Sequence, residues 1–233
     1  MADGAPLHIG TAGASARRKA ERVREERAQL RSTRGGLGRL LAGLFPSEKE
    51  ERLQKEERDY ATGAEGEQIL ARSLARRCPD VPMLHDRRAP MRVGNIDHIA
   101  IAPTGVYVID CKRYKGKIQV ARPLFGRASL KINGRNRTRL LEGLGRHVAD
   151  VNAAVADLAD DVPVHGCLCF VAPAGLLSDI GLPILRTLKI DGYALYYPRR
   201  LAKRMHKRGP LTPERASFLH AELARRLPPA LPG

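Results

Sequence analysis

The chain has 233 residues, 43% of them hydrophobic, which suits one domain with extensions and a sizeable buried core. A formal charge of +16 favours polyanionic partners, bound with a steep salt dependence through counterion release. Aromatic residues make up 4% with no tryptophan, which excludes base stacking on aromatic platforms as the main mode of recognition.

Residues 1–15 are Gly/Ala-rich and read as disordered. Residues 16–34 combine helix formers with mixed charge and little apolar periodicity, the pattern of a solvated helix. Gly35-Gly36 breaks it. The apolar segment 37–45 reads as docked on the domain or locally disordered, with contact to a partner protein or a membrane surface as the other reading of residues 16–58. A second charged helix is expected from Glu48 to about Tyr60. Residues 1–58 thus form an N-terminal extension, 59–205 the domain, and 206–233 a C-terminal helix with a loose proline-rich tail.

The core begins at Thr62, where Thr62-x-x-Glu65 has the form of a capping box and Ile69, Leu70 and Leu74 follow at helical spacing. Glu67 then sits in the first turn, where the helix dipole alone would favour a carboxylate. Pro79 and Pro82 close this region; a strand is expected over 83–86, then a loop over 87–93. Beyond the central hairpin, short strands are expected at 118–120 and 129–132, with a turn at Asn133-Gly134, and a helix over 139–160. Residues 164–172 form a near-continuous apolar strand of the kind buried on both faces. Residues 185–188 are ambiguous, 194–197 read as a short edge strand, and 199–207 as a basic helix. The last helix starts with Thr212 as cap and Pro213 at its first position, and ends near Leu227. Strands alternating with helices argue for α/β architecture.

The hairpin between Asn95 and Lys117 carries the chemistry. Two apolar runs flank Ala102-Pro103-Thr104-Gly105, and each holds an aspartate where a core strand should hold none. A turn centred between Pro103 and Thr104 sets Asp97 opposite Asp110, with Cβ atoms about 5 Å apart. Lys112 lies two residues on, hence on the same face. Asp-x-Lys alone reads more readily as a strand end leaving the core. With Asp97 in register, two carboxylates converge that are costly to desolvate together, a conflict that Mg²⁺ or Mn²⁺ removes while also taking phosphate oxygens. Such a site suits phosphodiester chemistry, with Lys112 orienting water or stabilising developing charge. His98, next to Asp97, faces the other way and reads as a core or interface histidine, as does His165.

Between Cys111 and Arg146 the only acid is Glu142, against eleven lysines and arginines. Arg113, Lys115 and Lys117, followed by Arg135, Arg137 and Arg139, therefore read as a phosphate-tracking surface beside the acidic pair. A second basic run, Arg199 to Arg208, reads more readily as solvated surface. The cysteines Cys78, Cys111, Cys167 and Cys169 lack metal-finger spacing, and Cys167 and Cys169 read as packed thiols. With no signal peptide and no apolar run of membrane-spanning length, a reducing cytoplasm is the expected compartment.

Gly63-Ala64-Glu65-Gly66-Glu67, then Asn95-Ile96-Asp97-His98, then the Thr104–Ile109 strand ending in acid-x-lysine, then Tyr114-Lys115-Gly116 together resemble the nuclease-related domain (NERD) family of the PD-(D/E)xK nuclease superfamily. The likeness extends over roughly residues 60–205. It implies a restriction-endonuclease-like core, a mixed β-sheet flanked by helices. It also implies a Mg²⁺- or Mn²⁺-dependent nuclease acting on nucleic acid, DNA before RNA. By position it assigns metal binding to Asp97 and Asp110, with the Cys111 carbonyl as a further ligand, the catalytic lysine role to Lys112, and the helix-borne acid to Glu67. Asp110 stands where the family more often has glutamate, and His147 falls where a glutamine is frequent. The competing readings are a nucleic-acid-binding module that keeps the fold without cleaving, and an adaptor that acts through its N-terminal helices.

Overall fold

The computed structural model describes residues 7–32, 47–89, 94–114, 116–159, 161–172, 182 and 187–230. Segment 37–45 and Lys115 lie outside them. The elements are α1 (Ala14–Ser32), α2 (Glu48–Arg77), β1 (Met83–Arg88), β2 (Asn95–Ala102), β3 (Gly105–Lys112), β4 (Ile118–Ala121), β5 (Ser129–Ile132), β6 (Arg135–Asn136), α3 (Arg139–Val155), β7 (Val164–Phe170), β8 (Leu188–Ile190), β9 (Tyr193–Tyr196), α4 (Pro198–Met205) and α5 (Pro213–Arg226). No helix among the described residues is long and apolar enough to cross a membrane.

A six-stranded mixed sheet in the order β1-β2-β3-β7-β9-β8 forms the centre. The β1-β2-β3 meander is antiparallel, β3, β7 and β9 run parallel, and β8 returns antiparallel. Alternation along the strands builds two cores. Ile99, Ile101, Val106 and Val108 face α3, α5 and the small sheet β4-β5-β6, while Ala100, Ala102, Tyr107 and Ile109 face α2 and α4. The expected helix-flanked α/β core is therefore present. His98 points away from Asp97, fully buried against His85 with their Nδ1 atoms 2.8 Å apart. His165 Nε2 meets the Thr104 carbonyl at 3.0 Å, and all four cysteines are buried free thiols.

Several expectations are corrected. The helix expected to start at Thr62 is the middle of one 30-residue helix capped at Ser47, where Ser47 and Glu50 form the reciprocal capping box. Thr62-x-x-Glu65 imitates that signal inside α2. Its Gly66 is a packing position: an added Cβ would stand 3.1 Å from Arg113 Cβ and 3.4 Å from Val171 Cγ2. Helix α1 is not merely solvated. It lies antiparallel on α2, burying Ala20 and Val23, with Arg24 and Arg27 on Glu57 and Arg31 on Glu50 at 2.8–3.0 Å. Strand β9 is interior, because the three-residue β8 takes the edge. Helix α3 stops at Val155, short of the expected residue 160. The cap at Thr212 is as expected, its hydroxyl accepting from the Arg215 N–H.

The described segments near both ends of the chain are tied to β1, against the expectation that 1–15 and the proline-rich tail are loose. The His85 N–H donates to the Ile9 carbonyl at 2.8 Å, so residues around Ile9 run along the outer edge of β1. The Arg88 N–H donates to the Pro228 carbonyl and the Ala230 N–H to that of Asp86. Arg87, fully buried, joins the two ends: its guanidinium donates to the carbonyls of Ala224 (2.7 Å), Leu227 (2.5 Å) and His8 (2.7 Å). Two of these carbonyls belong to the open C-terminal turn of α5, where a cation is favoured.

Candidate active site

The hairpin register places the acids. His98 pairs with Ile109 and Ala102 with Gly105, so the same register carries Asp97 opposite Asp110. Gly105 at φ +127 closes the turn, and an added Cβ there would stand 2.3 Å from the Pro163 carbonyl oxygen. Asp97 Oδ2 accepts the Cys111 N–H at 2.8 Å, which fixes the carboxylate across the strand pair. The Lys112 ammonium is ion-paired to Asp110 and lies 3.3 Å from the Cys111 carbonyl oxygen. Helix α2 brings Glu67 to the same end of the sheet, where it interacts electrostatically with Asp97, Asp110 and Lys112.

Burial pushes the Glu67 carboxyl up to about 7, reinforced by Asp86 and Asp110 and opposed by the Gly13 N–H and Lys112. Asp97 is raised well above the carboxylate range, first by burial and then by Glu67 and Asp110. Burial alone would lower Lys112; Asp110 and Asp97 outweigh it and raise the ammonium, so Lys112 stays a proton donor and a cation rather than a base. Three carboxylates thus crowd one lysine, and Glu67 and Asp97 are held toward their protonated forms. The oxygen-only donor set of Asp97, Asp110, Glu67 and the Cys111 carbonyl has the chemistry of a hard-cation site. Among the described residues no three His, Cys, Asp or Glu side chains already converge around a common metal position. Each acid has an internal partner instead: Asp97 the Cys111 N–H, Asp110 the Lys112 ammonium, Glu67 the Gly13 N–H.

Glu67 also sets a pH dependence. It ionises near 4.5 when unfolded and near 7 when folded, so the folded state holds a proton that the unfolded state releases. Stability without metal therefore falls as pH rises from about 4.5 to 7, by about 3 kcal/mol. Glu67→Gln lacks this loss. Without divalent ions it is expected to melt above the wild type at pH 8 and to lose that advantage near pH 4.5. An offset independent of pH in paired melting curves would contradict the assignment.

Two neighbours were not foreseen from sequence. Asp86, at φ +49 in β1, is buried and accepts from the Ser15 N–H (2.7 Å), the Ser15 hydroxyl and Asn95 Nδ2. The Gly13 N–H donates to Glu67 Oε2 at 2.9 Å, so the segment read as a loose tail reaches the candidate site. Only glycine fits there: Gly13 has φ +73, and an added Cβ would stand 2.6 Å from the Ala64 carbonyl oxygen. From α3, His147 senses Asp110, Asp150 and Lys112, and burial lowers its imidazole so that it is neutral at neutral pH.

The basic residues divide. Arg113 is bound to Glu65 at 2.5 Å and only 15% exposed, so it is not the open phosphate contact expected. Lys117, Arg135 and Arg139 are accessible on and around the small sheet, and Arg137 lies over the Tyr114 ring at 5.7 Å.

Residues 62–171 match the family model described as nuclease-related domain. No curated protein and no solved structure matches the chain.

Proposed function

From the match of residues 62–171 to the nuclease-related domain family model, we propose that the chain is a metal-dependent nuclease that hydrolyses phosphodiester bonds in DNA. The observation that carries this reading is Asp97 in register with Asp110, with Lys112 on Asp110 and Glu67 coupled to both acids. Asp97, Asp110 and the Cys111 carbonyl would hold Mg²⁺ or Mn²⁺, which supplies the positive charge that lets the crowded carboxylates ionise together and stabilises charge on the phosphoryl oxygens.

The chain's own groups do the rest. Glu67, with a carboxyl near 7, orients the attacking water and takes its proton as the water oxygen bonds to phosphorus. Lys112, protonated throughout, donates to the oxygens that gain negative charge. One P–O ester bond breaks, and the departing oxygen leaves with a proton from solvent. Lys117, Arg135 and Arg139 engage flanking phosphates.

The ion pair between Lys112 and Asp110 favours a second reading, in which the lysine replaces the metal and the domain binds DNA without cutting it. Incubating supercoiled circular DNA with Mg²⁺, Mn²⁺ or EDTA separates the two. The nuclease reading expects nicked or linear product with metal and none in EDTA; salt-sensitive binding with no product under any condition supports the second.

A further inference from the structure

We propose that the cleft between α2 and α4 is the track for one phosphodiester backbone of the nucleic acid, leading into the candidate active site. The proposal rests on the nuclease-related reading and adds a surface to it. The cleft encloses about 700 Å³. Arg72, Arg76 and Arg77 of α2 and Arg199 of α4 rim it, Ile69 and Val171 line its apolar floor, and among the described residues no acid lines it.

Its position follows from topology. Strands β3 and β7 run parallel, so their C-terminal ends lie together. One end carries Asp110 and Lys112, and the other leads into the Val171 floor. The Val171 N–H donates to the Lys112 carbonyl at 3.0 Å, which joins cleft and site through one hydrogen bond. In open α/β sheets, ligands bind beyond the carboxyl ends of the strands. Here that edge offers carboxylates for the reacting phosphate and, beside them, arginines for its neighbours.

The charge is unspent. Among the described residues, Arg72, Arg76 and Arg199 stand in no ion pair and all three are exposed, while Arg113, closer in, is taken by Glu65. Arg77, its Nε donating to Ser73 Oγ at 3.3 Å, lines the same space. Four guanidinium groups around one concavity repel one another, and a polyanion removes that repulsion. Arginine over an apolar floor also suits a backbone flanked by sugars, and needs no aromatic platform in a chain with no tryptophan.

The test uses the full chain with Arg72→Gln, Arg76→Gln and Arg199→Gln combined, and with Arg72→Gln and Arg199→Gln singly. Binding of labelled single-stranded and duplex oligonucleotides is measured in EDTA across a salt series. The slope of log affinity against log salt is expected to fall by about 2–3 in the triple variant and by about 1 in each single variant. Affinity near 0.1 M salt is expected to drop at least about tenfold, with the melting temperature unchanged. In Mg²⁺ the triple variant should raise KM and leave kcat in place. Wild-type slopes in all variants, or losses confined to phosphatidylserine vesicles, would overturn the track. If no form cleaves while the slopes still fall as stated, the nuclease reading fails and the track stands.

Discussion

Lys112→Met is expected to lower the rate of metal-dependent DNA cleavage by about 10²–10³-fold while changing DNA affinity by less than about threefold. The two effects separate because Lys112 is not an open surface cation. Its side chain is 23% exposed and lies against Asp110 and the Cys111 carbonyl, so little of its charge reaches distant phosphates. On the proposed mechanism its work is confined to the atoms at which negative charge develops. The ammonium is raised by Asp110 and Asp97, so the loss should not be recovered by raising pH, as it would be for a lysine acting as a base. Methionine keeps the length and packing of the stem, which keeps the strand end folded. Single-turnover cleavage beside equilibrium binding in EDTA makes the measurement. Equal losses in rate and affinity would assign Lys112 to binding instead.

The largest expected stability effect lies at Arg87. Arg87→Ala should destabilise the protein by about 3–5 kcal/mol, the range for removing one partner from a buried charged network. Three carbonyls lose their donor together, two in the last turn of α5 and one in the N-terminal segment. Burial pulls the guanidinium down to about 10 and Asp86 supports it, so it remains charged at neutral pH. For a chain of this size the melting temperature should fall by about 6–20 °C. Arg87→Lys should recover only part of this, because one ammonium lacks the planar fork that serves three separated acceptors. A loss below about 1 kcal/mol in urea unfolding would show that the two chain ends are held by other contacts.

The hairpin was legible in the sequence because its information is local. Pro103-Thr104 centres the turn, the register follows by counting, and strand alternation puts Asp97, Asp110 and Lys112 on one face. Lone carboxylates in apolar strands also announce themselves by type. What was hidden depends on long-range backbone contacts, which leave no side-chain pattern. Gly13 and Glu67 lie 54 residues apart, and the donor between them is an amide that every non-proline residue possesses. Gly/Ala-rich composition points to disorder over residues 1–15, of which the structure describes 7–15. Yet Gly10 and Gly13 are glycines because the chain passes within a Cβ's reach of His85 and Ala64 at positive φ. Asp86 carries no sequence signal because a charged residue near a strand end is ordinary, and Ser15 and Asn95 closing around it make it a buried acid. The continuity of α2 was masked by a capping pattern whose residues are helical, and the interior place of β9 by a neighbour too short to read.

The arrangement assigns the N-terminal segment to the site rather than to a tail. Ser15 braces Asp86, Asp86 raises Glu67, and Gly13 holds the Glu67 carboxylate. Glu67 is thereby held by a backbone amide and made a weaker acid by Asp86, the kind of supporting layer that its proposed catalytic role would need.

The account turns on the acidic pair, and Asp110→Ala tests it directly: wild type and variant, purified identically, are given supercoiled DNA with Mg²⁺ at low salt. Cleavage by the wild type that falls at least about 10³-fold in the variant, with DNA affinity retained, is the predicted result. Equal cleavage by both proteins would contradict the site, and no cleavage by either, with binding intact, would leave a DNA-binding domain whose acids hold the fold.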